Sequence, residues 1–209
     1  MSGETLTVRD EFVAAIRTNQ PAFGLELEDA TIERLADYFE FVQEHNPILH
    51  LVGPSTPEEF ATRHILESLT LLEFLPPNAR FADIGPGAGL PSIPCLIVRN
   101  DLSAVLIESK ERKAGFLKAV TDKCELTART EIINRQFSEI KRPDVGFVTC
   151  RALDRFMTNL PRLVKWSGRA TLLFFGGPAL TEELEKRKVR YDVRLMPLST
   201  QRYLFRFSQ

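Results

Sequence analysis

Residues 81–94 read "FADIGPGAGLPSIP": a short apolar stretch, an acid, glycines at alternate positions (Gly85, Gly87, Gly89), then Pro91 and Pro94. Glycine admits positive φ and lacks the Cβ that would hold a ligand off the backbone, so glycines at this density mark a close approach. An apolar strand at 81–84 running into such a loop fits the first crossover of a doubly wound sheet, where ligands sit beyond the carboxyl ends of the strands. Three ligands compete: a dinucleotide, a phosphate, and a nucleoside without phosphates. The dinucleotide fingerprint is met at Gly85 and Gly87, but its third place falls on Leu90, and Gly89 comes one residue early. Pro91 and Pro94 remove amide donors that could grip a pyrophosphate, and no Gly-Lys-Ser/Thr follows to make a Walker loop. S-adenosylmethionine remains, which needs a close backbone for its methionine part, an acid for its ribose and an apolar slot for adenine. Asp83 precedes the glycines, and Glu108 closes the next strand, about 20 residues beyond the loop, where an acid accepts from both ribose hydroxyls. Read without a ligand, the same residues are a glycine-rich turn, a capping aspartate and an exposed glutamate.

Upstream of this loop, residues 5 to 75 read as helical. Val8, Phe12, Ala15 and Ile16 recur at helical spacing, as do Ile32, Leu35, Phe39 and Val42. A connection, "HNPILHLVGPSTP" at 45–57, leads to a third helix from Pro57 to Phe74, capped by Thr56, with Glu58 and Glu59 at its positive end. "LPPNAR" (75–80) ends it. Beyond it, strand candidates at 81–84, 103–107, 130–134, 145–149 and 170–175 alternate with amphipathic stretches, "KERKAGFLKAVTDK" (110–123) and "DRFMTNLPRLVKW" (154–166) the clearest. Such alternation implies parallel strands with helical crossovers. "YDVRLMPL" and "RYLFRFS" then form a closing antiparallel hairpin. The expected fold is α/β: a seven-stranded, mostly parallel sheet resembling the class I (Rossmann-like) S-adenosylmethionine-dependent methyltransferases. A helical extension (1–76) is expected to pack on the methyltransferase domain (77–209).

The 209 residues suffice for one well-buried core, and 44% hydrophobic with 26% charged residues is ordinary for a globular protein. The polar start "MSGETLTVRDEF" lacks the order of a secretory signal, and no apolar run approaches bilayer length, so a cytoplasmic protein with no membrane partner is expected. Cys95, Cys124 and Cys150 lack CxxC spacing, and His45, His50 and His64 lack a matching cluster, so no metal is expected. A net charge of −1 gathers no nucleic acid through the whole-protein field, and such a partner needs a local basic patch.

With these residues identified, the chain resembles the bacterial glucose-inhibited division protein B family, the 16S ribosomal RNA guanine-N7 methyltransferases of the small subunit. "HNPILHLVGPSTPEEFATRHILESLTLLEFL" (45–75) looks like that family's aromatic-Asn segment followed by Arg-His-x-Leu-Asp-Ser. "DIGPGAGLPSIP" is similar to its Asp-x-Gly-x-Gly-x-Gly-x-Pro-Gly-Ile-Pro, "IESKERKAGFLKAV" to its acid-Ser and Lys-Arg helix, and "VTCRALDRF" to its Ser-Arg-Ala segment. The resemblance implies donor contacts at Gly85, Leu90, Phe137, Ser138 and Arg151. Departures are His50-Leu51-Val52 in place of Asn-Leu-Thr, Ser92 in place of glycine, and Gly176 where a lysine is expected.

Guanine N7 carries a lone pair and no proton, so its methylation requires no general base, and positioning and desolvation would carry the rate. Arg151 is the candidate catalytic residue, set to hydrogen-bond guanine O6 or a phosphate. Asp83, Gly85, Gly87, Gly89, Leu90, Glu108, Phe137, Ser138 and Arg151 are the candidate donor contacts. Arg63, His64, Arg112, Lys113 and Arg155, with Lys118, Arg162, Lys165 and Arg169 near them, are candidate positive charges for 16S rRNA or the small subunit, to be bound by a monomer. Two rivals stay open: a pyrimidine-C5 methyltransferase with Cys150 as nucleophile, and a non-catalytic module that binds donor and ribosomal RNA. A nicotinamide dehydrogenase is a more distant one.

Overall fold

A computed structural model of the chain describes residues 7–151 and 156–208. Seven strands form one sheet in the order β3-β2-β1-β4-β5-β7-β6. They are β1 (Arg80–Ile84), β2 (Ser103–Ile107), β3 (Thr130–Ile133), β4 (Phe147–Cys150), β5 (Thr171–Gly176), β6 (Tyr191–Leu195) and β7 (Tyr203–Phe207). β1 to β5 pair in parallel, while β7 runs antiparallel to both β5 and β6. This is the expected seven-stranded, mostly parallel sheet with its closing antiparallel hairpin.

Side-chain alternation along the strands builds two cores. Phe81, Ala104, Leu106, Leu173 and Phe175 point to one face, and Ala82, Val105, Ile107, Leu172 and Phe174 to the other. Helices α6 (Phe156–Ser167) and α7 (Pro178–Lys186) cover the second face. The first is covered by α4 (Ser92–Val98) and α5 (Glu111–Lys123), together with the N-terminal helices.

Those N-terminal helices form because their ends are capped and their apolar faces are continuous. Thr7 and Asp10 make a reciprocal capping box at the start of α1 (Val8–Asn19), which buries Phe12, Val13, Ala15 and Ile16. Thr56 and Glu59 do the same for the helical run 57–74, here α3, as the sequence leads one to expect of Thr56. The Phe39 ring of α2 (Asp29–Leu49) stacks on Phe12 at 4.5 Å and meets Phe60 at 4.9 Å, so one aromatic cluster ties all three helices together.

Two expectations need correction. The connection proposed for 45–57 is helical as far as Leu49, because Pro47 falls in the last turn of α2, and His50 then ends the helix with φ 48°. Asn46 Oδ1 accepts from the N–H groups of Leu51 and Val52 at 2.8 and 3.0 Å, which folds the chain back after the helix. The fourth strand lies at 147–150 where 145–149 is expected, and Gly146 just before it bonds to Arg80 and Thr171 at the starts of the two flanking strands.

α3 is also not uniform. Residues Phe60–Leu66 are wound as a π-helix, with i→i+5 bonding, between short α-helical stretches, and the run closes in a 3-10 turn at Thr70–Phe74. Such segments are rare and shift the register of backbone carbonyls.

Candidate active site

The carboxyl ends of β1, β2 and β4 open on a crevice of about 590 Å³, a volume suited to a small molecule. It lies where the strand order reverses, between β1 and β4, as the doubly wound topology predicts. Gly85, Gly87, Leu90, Glu108, Phe137 and Arg151 line it, which brings together six of the candidate donor contacts. Asp83, Gly89 and Ser138 are not in its lining. Ser138 is exposed. Gly89, at φ 93°, is turned into the core, where an added Cβ would come within 2.4 Å of Ile93 Cγ1.

The glycine loop is organised around Glu108, whose side chain is almost fully buried. Glu108 Oε2 accepts from Gly87 N at 3.2 Å and Oε1 from Lys110 N at 2.9 Å. Asn134 Nδ2 donates to the Glu108 carbonyl at 2.8 Å and fixes that strand end. Gly85 and Gly87 adopt φ of 67° and 57°, the left-handed region open to glycine. A carboxylate occupies the amide that a phosphate-binding loop would offer to its ligand, so the loop is no anion cradle. Each Glu108 oxygen keeps a lone pair for a hydroxyl. Ile84, Ile107 and Phe137, the last packed edge-on against Trp166 at 5.8 Å, supply the apolar wall. Acid, apolar wall and close backbone fit an adenosyl group without phosphates.

Asp83 sits beneath the loop, fully buried. Its Oδ2 accepts from Ser92 Oγ at 2.5 Å, and its Oδ1 has no hydrogen-bond partner among the described residues. Burial raises its pKa to about 8, against the opposing Ser92 hydrogen bond and with help from the Glu108 charge. The departure at Ser92 is therefore a core contact to the strand-end acid.

Arg151, at the end of β4, is held by the π-helical segment of α3. Its Nη1 donates to Ser68 Oγ at 2.8 Å and to the His64 carbonyl at 3.4 Å, and its Nη2 donates to the Arg63 carbonyl. Glu67 Oε2 lies 3.4 Å from Nη2, and Glu67 Oε1 accepts from Arg202 Nε at 2.7 Å. The Arg151 guanidinium also lies over the Phe175 ring, 5.3 Å from its centroid. Burial lowers its pKa, and the Glu67 charge works the other way.

Of the candidate RNA contacts, His64 and Lys113 line the crevice. His64 is no positive charge: burial, with Arg151 and Arg63 close by, lowers its pKa to about 3, and its Nδ1 has no hydrogen-bond partner among the described residues. Lys113 Nζ donates to the His50 carbonyl at 3.2 Å, tying the loop after α2 to the rim. Arg63 is half exposed beside Glu59, Arg112 is exposed outside the crevice, and Arg155 lies outside the described residues.

Sequence reasoning passed over Lys110, Arg135 and Gln136, which flank Glu108 and Phe137 and share the lining, and Asn159 on α6. It also passed over Glu67 and Ser68, although both stand in the quoted Arg-His segment. The signal available was adjacency to a motif. The Cys150 side chain is completely buried and does not line the crevice. Among the described residues there is no cluster of metal-ligating side chains, and no helix is long and apolar enough to cross a membrane.

The family model described as GidB, rRNA small subunit methyltransferase G, matches residues 31–202. The chain is 35% identical over 171 residues to ribosomal RNA small subunit methyltransferase G of Sorangium cellulosum, covering 78% of this chain and 71% of that one. It is 31% identical over 183 residues to the protein of the same name from Brachyspira hyodysenteriae, covering 84% and 88%. Among solved structures, the N-terminal domain of human METTL16 in complex with SAH superposes with a TM-score of 0.55 at 14% identity, covering 94% of this chain and 93% of that one. At that identity the likeness is one of fold.

Proposed function

We propose, since this chain belongs to the GidB family of rRNA small subunit methyltransferases, that it transfers a methyl group from S-adenosylmethionine to N7 of a guanine in 16S rRNA. The observation that carries this reading is the crevice at the β1/β4 reversal, floored by a carboxylate that the glycine loop itself orients. Glu108 would hold the ribose hydroxyls, Gly85 and Gly87 the methionine part, and Phe137 the adenine face. The bound donor supplies a methyl carbon on a sulfonium, which passes its bonding pair to sulfur as the N7 lone pair takes the carbon. No proton leaves, so the chain needs no base, in keeping with a His64 that is neutral and an Asp83 sealed in the core. Its own contribution is to hold Arg151 against the π-helical carbonyls at the crevice wall and to exclude water there.

The rRNA would be met by Lys113 at the rim and by Arg63 and Arg112 outside it, with Arg155 as a further candidate, which makes affinity fall with salt. On this reading the protein is a monomer acting in the cytoplasm. The test is transfer of radiolabelled methyl to small-subunit particles and to naked 16S rRNA, with the modified nucleoside identified by mass. Label recovered as 7-methylguanosine is expected from the wild type and from Cys150→Ser. Label in a pyrimidine, lost in Cys150→Ser, would establish the rival chemistry, and no label on either substrate would leave only a binding module.

A further inference from the structure

We infer that Glu67 is a positioning residue for this reaction: its buried carboxylate aims Arg151 and balances the charge of that guanidinium beside the sulfonium of the donor. The inference rests on the donor reading above. Three observations lead to it. First, the Glu67 side chain is 3% exposed, and its two oxygens face two different arginines, Arg151 at 3.4 Å and Arg202 at 2.7 Å. A carboxylate removed so far from water persists only where cations replace its hydration. Second, Arg151 is the member of that group that lines the crevice, whereas Arg202 approaches from the base of the β6–β7 hairpin. Third, among the described residues the other hydrogen bonds of Arg151 go to neutral oxygens of the π-helical segment and Ser68. They fix its direction without cancelling its charge. Among the described residues, Glu67 is the carboxylate in direct contact with it.

The electrostatics then distinguish the two forms of the donor. S-adenosylmethionine carries a positive sulfonium, and S-adenosylhomocysteine a neutral thioether of nearly the same shape. An uncompensated Arg151 would repel the first and not the second, because in a site shielded from water unit charges interact strongly. During transfer the positive charge moves from sulfur to the guanine ring, so the same compensation serves reactant and product. The family pattern has aspartate at this place. Glutamate here reaches one methylene further, toward Arg202 as well as Arg151.

The test compares dissociation constants for S-adenosylmethionine and S-adenosylhomocysteine in the full-length wild type, Glu67→Gln, Glu67→Asp and Arg202→Gln, with circular dichroism as a check on folding. Glu67→Gln is expected to weaken S-adenosylmethionine about tenfold more than S-adenosylhomocysteine. Glu67→Asp, which restores the charge, should keep the ratio of the two within about twofold of the wild type. Equal loss of both ligands in Glu67→Gln, or no loss, would overturn the inference, since packing alone does not sense the sulfonium. If Glu67→Gln does not fold, Arg202→Gln decides. Freed of its second cation, the carboxylate should shift the ratio about twofold toward S-adenosylmethionine, and an unchanged or reversed ratio refutes the role. A wild type that binds neither ligand would instead strike the donor reading itself.

Discussion

At the residue scale, the crevice separates side chains that face the ligand from those that hold the loop from below. Gly89 belongs to the second group. With φ at 93° and Ile93 Cγ1 at 2.4 Å from any added Cβ, Gly89→Ala should lower stability by about 2 kcal/mol or more, read as a drop in Tm. Because Gly89 does not line the crevice, the folded fraction should bind S-adenosylhomocysteine with near wild-type affinity. Asp83 and His64 give stability opposite slopes with pH. The Asp83 pKa is raised to about 8, so the folded chain holds that proton more tightly than the unfolded one. Its contribution is full below the usual carboxyl range and is lost as pH rises toward 8. The His64 pKa is lowered to about 3, so its contribution is present above the ordinary imidazole range and is lost as pH falls through that window. Thermal melts of Asp83→Asn should show a smaller decline between pH 4 and 8 than the wild type. The same decline in both would mean that Asp83 is ionised in the folded state. Glu108 and the glycines were legible in the sequence because spacing alone places them at strand ends. The Asp83–Ser92 pair was not, since it needs the three-dimensional fold of the loop over the strand.

At the scale of elements, capping and alternation made most of the architecture readable, while backbone register did not show. Thr56 was identifiable as a cap from Pro57, Glu58 and Glu59, and the structure gives it a reciprocal partner in Glu59. Thr56→Ala should therefore cost about 1 kcal/mol, measured by denaturant melting, with no change of fold. An effect below a few tenths would mean that packing of Phe60 alone starts the helix. The π-helical segment Phe60–Leu66 had no signature, because its residues satisfy the ordinary 3.6-residue period closely enough. What it does is visible only with β4 in place: it presents the Arg63 and His64 carbonyls to Arg151. Pro47 misled the reading in the other direction. A proline near the end of an apolar-periodic stretch suggests a break, yet the helix runs two residues beyond it before His50 turns left-handed.

At the scale of the whole molecule, the N-terminal helices share one layer over the sheet with α4 and α5. Phe12, Leu35, Phe60, Phe81 and Leu106 belong to one continuous cluster of buried residues that spans the division at residue 76, while the core on the other face of the sheet draws only on residues after it. We propose that residues 1–76 are needed for folding as well as for shaping the crevice. A chain beginning at residue 77 should be insoluble or lack a cooperative melt, and a soluble, cooperatively folded fragment would show that the extension is an independent addition. That shared layer also places α3 against Arg151, and so joins the extension to the chemistry. The account as a whole depends on the crevice holding an adenosyl donor with Glu108 on its ribose. Titration calorimetry of S-adenosylhomocysteine into the full-length protein and into Glu108→Ala tests it most directly. The account predicts a single site in the wild type and a loss of about tenfold or more in affinity in the variant. No heat with the wild type, or equal affinity in both proteins, would contradict it.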